Sequence, residues 1–151
     1  MTLDLLLSIA AATAGLAGVS YYVWAAVQAH RALAWPTVSG RIAASDVRVV
    51  PGRWRTYRPS VTYSYEVGNR SYTSRRIFFG QALFSTAAKG FAEKRRDQYQ
   101  AGGAVRVHVH PDKPELAVLE PGIWPDQFLP AFFWVLLLAL GILGVSSWAR
   151  S

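Results

Sequence analysis

Two uncharged apolar blocks bracket a charged middle, and this division constrains the chain more than any other feature. Leu5 to Ala29 contains no Asp, Glu, Lys, Arg or His, and Phe128 to Ala149 contains none either. A helix rising about 1.5 Å per residue needs ~20 predominantly apolar residues to cross ~30 Å of hydrocarbon. Both blocks have that length. Ser8, Thr13 and Ser20 are compatible with a span, because a helical hydroxyl can bond a carbonyl one turn earlier. The blocks predict transmembrane helices over residues 5–29 and 128–149, and an extramembrane domain over residues 35–122.

Val27-Gln28-Ala29 resembles a signal-peptide cleavage site. Yet Met1 to Asp4 holds no Lys or Arg, and the apolar run exceeds the ~7–15 residues usual for a signal peptide. The block is therefore expected to be retained as an anchor. Tyr21, Tyr22, Trp24 and Trp35 follow the first helix core, while Trp124, Phe128, Phe132, Phe133 and Trp134 lead into the second. Amphipathic rings favour the membrane–water boundary, so both clusters mark one interface, with the middle domain on that side and Trp148 at the other. Ala10, Ala14 and Gly18 lie four apart, with Ala11 and Gly15 beside them. Such spacing lets helix backbones approach closely, with a partner near Gly141 and Gly144 or in a second copy.

The net charge of +7 belongs to the middle. Trp35 to Pro125 carries 14 Lys and Arg against seven Asp and Glu. A basic domain tethered at a bilayer has anionic head groups as natural neighbours. Arg75, Arg76, Lys94, Arg95 and Arg96 are the candidate contacts, although a charged helix face also serves solvation alone. There is no cysteine, so disulfides, thiolate metal sites and cysteine nucleophiles are excluded.

Within the middle, Val38 to Val50 reads as a strand ended by Pro51-Gly52, and Arg53 to Arg58 as a polar connection. Val61, Tyr63, Tyr65 and Val67 alternate with Thr62, Ser64 and Glu66, the period of a half-buried strand. Gly68-Asn69 fits a two-residue hairpin turn. It pairs Val67 with Arg70, Tyr65 with Tyr72 and Tyr63 with Ser74, in a strand that Gly80 closes. Ala82 to Tyr99 reads as a helix with Ala87, Ala88, Phe91 and Ala92 as its apolar stripe. Ala104 to His110 alternates again, and Leu116 to Leu119 is a last short strand. The expected fold is an α+β membrane protein. Its two transmembrane helices flank a small, mostly antiparallel β-β-β-α-β-β domain, a curled sheet or small barrel.

The hairpin from Val61 to Tyr72, the stretch Gly103 to Pro114, the run Ala117 to Gly122 and the opening Trp35 to Ile42 together resemble a bacterial membrane family, domain of unknown function 3592. The resemblance covers roughly Trp35 to Gly122 and implies flanking helices. His108-Val-His110 departs from its pattern, where aromatic or acidic residues are expected. The family implies no activity, ligand or catalytic residue.

His108 and His110 leave one strand face, a spacing that can present two imidazoles to a metal. Asp112 or Glu120 would have to supply a third ligand, and a solvated polar face beside Arg106 explains the pair equally. No cofactor is expected. No serine sits in a nucleophile motif, and Gly102-Gly103 lacks phosphate-loop context. No nucleic-acid module is recognisable. The expectation is a non-catalytic binding or scaffold module in the inner membrane. Its partners are lipid, a second copy or another membrane protein, of which it would be a subunit or immunity-type partner. The alternative is an accessory component of a membrane enzyme or transporter, although neither helix carries the intramembrane charge that transport pathways use. Arg31 and Arg41 follow the first helix and Asp4 precedes it, which favours a cytoplasmic domain.

Overall fold

A computed structural model of the chain describes residues 3–83, 85–123 and 128–150. The elements are α1 (Leu3–Ala32), β1 (Thr37–Val50), β2 (Thr56–Val67), β3 (Arg70–Ser74), α2 (Lys89–Asp97), β4 (Ala104–Val109), β5 (Ala117–Val118) and α3 (Phe128–Trp148). They form two compact units, Met1–Val27 with Ile123–Ser151, and Gln28–Gly122.

In the first unit, α1 and α3 run antiparallel. A side chain added at Gly15 would meet the Leu138 backbone nitrogen at 2.5 Å, and one at Gly141 would meet the Ala12 backbone. Gly18 faces the Trp134 ring, and Gly144 faces Ser8. Small residues thus let the two backbones touch, as close helix packing requires. The seam differs from the four-residue spacing read in the sequence. Gly15, Gly18, Tyr22 and Ala25 are buried, whereas Ala10 and Ala14 are exposed. Alternating steps of three and four keep a seam on one side of a helix pair, and a strict four-residue step drifts off it. The outward faces are apolar: Leu7, Leu16, Leu136, Leu140 and Leu143 are all exposed. Both helices are long and apolar enough to cross a membrane, and little of either is buried. Trp124 lies outside the described residues.

The second unit is a five-stranded antiparallel sheet in the order β3-β2-β1-β4-β5. The hairpin register is the one the alternation predicts, with Val67 opposite Arg70, Tyr65 opposite Tyr72 and Tyr63 opposite Ser74. Of the two turn residues only Gly68 takes a positive φ, +61°, as a hairpin turn of type II′ asks of its first central position. Pro59, Val61, Tyr63 and Tyr65 are buried in alternation with half-buried neighbours, so one sheet face is covered. Ile42, Ile77, Phe78, Val107, Val109, Ala117 and Leu119 complete the core. Gly40 is where β1 and β4 press together, since a Cβ there would meet Val107 Cγ2 at 2.7 Å.

Three expectations are corrected. The sheet is open and not a barrel: β3 and β5 are its two edges. The third strand ends at Ser74, not near Gly80, because the next backbone groups find partners outside the ladder. Gln81 Oε1 accepts from the Ile77 nitrogen at 2.7 Å, and the Ile77 carbonyl accepts from the Glu120 nitrogen at 2.8 Å. The helix begins at Lys89 rather than Ala82. Ahead of it Thr86 and Tyr57 exchange two backbone hydrogen bonds, of 2.7 and 3.0 Å. This tertiary pairing overrides the helix propensity of Ala87 and Ala88.

The last turn of α1 belongs to the sheet unit. Ala29, Ala32 and Trp35 are buried there, and the Gly122 nitrogen donates to the Ala29 carbonyl at 2.9 Å. The Trp35 ring meets Phe79 edge-on with ring centres 5.8 Å apart.

Candidate functional site

Three groups of residues in the sheet unit carry chemistry: a buried ion pair, the paired histidines, and the arginines and lysines.

The ion pair joins α2 to the bend after β5. Arg95 Nη1 donates to Glu120 Oε2 at 2.6 Å, and the Tyr99 hydroxyl donates to Glu120 Oε1 at 2.6 Å. The side chains of Arg95 and Glu120 are only 11% and 12% exposed. The guanidinium lies 5.1 Å from the Phe78 ring centre and 5.8 Å from that of Phe91, within reach of cation–π attraction. Burial, the hydrogen bond to Glu120 and its charge hold the Tyr99 phenol far above its usual range. Each charge is neutralised in place, so the group ties the helix to the sheet.

His108 and His110 both flank Trp35. Burial, with the neighbouring Arg106, holds the His108 imidazole below the ordinary range, and its Nδ1 is buried with no hydrogen-bond partner among the described residues. The His110 ring stands 5.0 Å from the Trp35 ring, and His110 Nδ1 accepts from the Asp112 nitrogen at 3.1 Å. Of the two prospective third ligands, Glu120 is occupied by Arg95 and Tyr99. Among the described residues no group of three His, Cys, Asp or Glu is placed to hold a metal.

The five basic residues singled out in the sequence do not form one patch. Arg75 and Lys94 are exposed. Arg76 lies over the Phe79 ring at 5.3 Å, and Arg96 pairs with Asp97 at 2.6 Å. Arg95 is withdrawn from the surface by Glu120, because residue 95 falls on the same helix face as buried Ala92.

A second group of exposed arginines lies where the sequence indicated only a connection. The β1–β2 ribbon continues past the sheet to a tip at residues 51–55, with Arg48 opposite Arg58 and Val50 opposite Thr56. Trp54 at the tip is 77% exposed and Val49 is 54% exposed, and Arg48, Arg53 and Arg55 are exposed around them. Between Asp46 and Glu66 there are four arginines and no acid. The legible signal was Arg53-Trp54-Arg55 directly after Pro51-Gly52, a large ring set between two charges in a turn.

Crevices are shallow. One of about 270 Å³ lies between Tyr99, Gln100 and Ala104, and another of about 310 Å³ is lined by Thr37, Ser39 and Arg106.

An open antiparallel sheet backed by one helix, with a long apolar helix before it and another after it, defines an α+β protein with two helices fit for a membrane. The chain belongs to the family described as Domain of unknown function (DUF3592), which it matches over residues 38–124. Neither a curated protein nor a solved structure matches it.

Proposed function

We propose that this protein is a membrane-anchored, non-catalytic binding module. Its helix pair lies in the bacterial inner membrane and its sheet unit presents a basic surface on the cytoplasmic face. The observation that carries the reading is the inverted exposure of the helices. Their contact seam is small and polar-tolerant, built on Ser8, Ala12, Gly15, Gly141 and Gly144, whereas Leu7, Leu16, Leu140 and Leu143 point outward. In water that surface would be an aggregation liability, and in hydrocarbon it is matched to its solvent.

The antiparallel pairing supports a one-sided arrangement. Within the helix pair the later half of α1 lies against the start of α3, since Tyr22, Val23 and Ala26 line one crevice with Ala131 and Val135, and the chain runs from both into the sheet unit. Arg31 and Arg41 after α1 support the cytoplasmic side through the positive-inside bias. Anionic head groups are the proposed neighbours, with Arg75 and Lys94 as the exposed members of the original set. The test is extraction of native membranes. The chain is expected to stay in the pellet through carbonate and high salt and to leave it in detergent; release by carbonate would contradict the anchoring.

A further inference from the structure

We propose that the tip of the β1–β2 hairpin is a docking point for an anionic phospholipid surface, with Arg48, Arg53 and Arg55 binding phosphate and Trp54 and Val49 entering the interfacial layer. The inference rests on the reading that the helix pair occupies a bilayer, and it adds a second contact with lipid.

The tip differs from the rest of the sheet unit. In the core the large apolar side chains are turned inward, with Tyr63, Ile77 and Val61 fully buried, and of the exposed ones in this unit Trp54, at 77%, is far more exposed than Leu33 at 57% or Phe91 at 37%. At the tip Trp54 and Val49 are turned out, with no acid in the chain between Asp46 and Glu66 to neutralise the arginines around them. Among the described residues Arg48, Arg53 and Arg55 form no ion pair. The ribbon that carries them is braced. Besides the Thr86–Tyr57 hydrogen bonds, Arg58 Nη2 donates to the Ala82 carbonyl at 2.9 Å, and Ser45 Oγ donates to the Arg96 carbonyl at 3.1 Å. The charges and the ring are thus held out on a supported stem.

The chemistry fits a surface that is both phosphate-bearing and apolar beneath. Guanidinium forks bind phosphate oxygens two at a time. Tryptophan is the residue most suited to the boundary between head groups and acyl chains. Single-stranded nucleic acid and acidic protein would satisfy the arginines as well. Lipid is favoured because the same chain carries two helices suited to hydrocarbon, which would hold the tip at high local concentration near a bilayer. Along β1 the tip lies no farther than ~45 Å from the start of the strand, at about 3.3 Å per residue.

The chain has no cysteine, so a single one can carry a probe. Gly52→Cys suits the purpose, since a Cβ there meets only the Trp54 carbonyl oxygen, at an ordinary 3.5 Å. The full chain, labelled with an environment-sensitive fluorophore at that position, is placed in nanodiscs of phosphatidylcholine alone or mixed with phosphatidylglycerol. Phosphatidylglycerol vesicles are added to the neutral discs in a second arm, which separates contact with the chain's own bilayer from contact with another. Blue-shifted emission and protection from iodide in either anionic arm, lost at high salt, is the expected result. Arg53→Gln with Arg55→Gln should weaken the response to added vesicles about thirtyfold, at ~1 kcal/mol per basic residue, without changing the melting of the chain. Trp54→Ala should reduce the blue shift while leaving the salt dependence.

Emission that ignores lipid charge in both arms overturns the inference while the anchoring stands. A stronger response to a single-stranded oligonucleotide or to polyglutamate than to vesicles also overturns it, and gives the tip to that partner. A chain that does not co-elute with the discs overturns the anchoring and this inference with it.

Discussion

The helix pair and the sheet unit use the same residue types in opposite directions. In the core of the sheet unit the bulky side chains are inside, with Tyr63, Ile77 and Val61 at zero exposure, and the charges that are buried there, Arg95 and Glu120, are paired. In the helix pair the glycines and Ser8 are inside, and Leu16, Leu140 and Leu143 are outside, between 56% and 61% exposed. Water rewards burial of apolar area. Hydrocarbon gives no such reward between helices, so close backbone approach decides the seam. One chain thus carries two packing rules, and substitutions should separate them.

The largest effect is expected in the sheet core. Tyr65 is 2% exposed, its ring stacks on Tyr72 at 5.7 Å, and its hydroxyl donates to the Pro114 carbonyl at 2.6 Å. Tyr65→Ala should destabilise the sheet unit by about 3–5 kcal/mol, the range for truncating a large buried ring. Thr62→Ala, on the half-buried face, should cost less than about 1 kcal/mol. Chemical denaturation of the full chain in detergent, followed by near-ultraviolet circular dichroism, checks both; equal losses would mean that the two faces are misassigned.

Next comes the ion pair. Arg95→Ala leaves the Glu120 carboxylate half-satisfied in a buried place, at a cost of about 3 kcal/mol. Arg95→Met combined with Glu120→Gln should recover most of it, because both charges are removed together. The same melts read this out, and a double variant as unstable as the single one would show that the pair stabilises beyond its own neutralisation.

The helix pair should respond to added bulk instead of lost bulk. Gly141→Leu drives a side chain into the Ala12 backbone, an overpacking of about 1–3 kcal/mol. Cysteines replacing Ser8 and Gly144 should form a disulfide on oxidation, and Gly141→Leu should abolish it while the sheet unit still melts normally. A crosslink that survives would place the seam elsewhere.

The smallest effect is a pH dependence. Burial and Arg106 keep the His108 imidazole below its ordinary range in the fold, so the unfolded chain takes up the proton first as pH falls. The stability tied to neutral His108 is complete above ~6.5, the ordinary imidazole value, and is lost as pH falls from there towards the lower folded value. His108→Gln should flatten that part of the melting profile, and an unchanged slope would show that His108 does not contribute.

How much of this was legible in the sequence follows from the range of each determinant. The hairpin was readable to the residue, because alternation at Val61, Tyr63, Tyr65 and Val67 and a glycine turn fix the register locally. The uncharged helices were readable for the same reason. The start of α2 was not, since it depends on Thr86 meeting Tyr57, 29 positions away in the chain. Nor was the fate of Arg95. Lys94, Arg95 and Arg96 look alike in sequence, and only the packing of α2 on the sheet separates the buried member from its neighbours. The tip was visible as Arg53-Trp54-Arg55, but an exposed turn and a buried one look the same until the neighbouring strands are placed.

Membrane anchoring requires that the outward residues of the helix pair face hydrocarbon. Substituted-cysteine labelling tests this directly, because the chain has no cysteine of its own. In intact membrane vesicles of mixed orientation, cysteines replacing Leu16 or Leu140 should resist a membrane-impermeant maleimide and react only after denaturation, whereas one replacing exposed Asn69 should react at once. Leu16→Cys and Leu140→Cys labelling as fast as Asn69→Cys in intact vesicles would contradict the account.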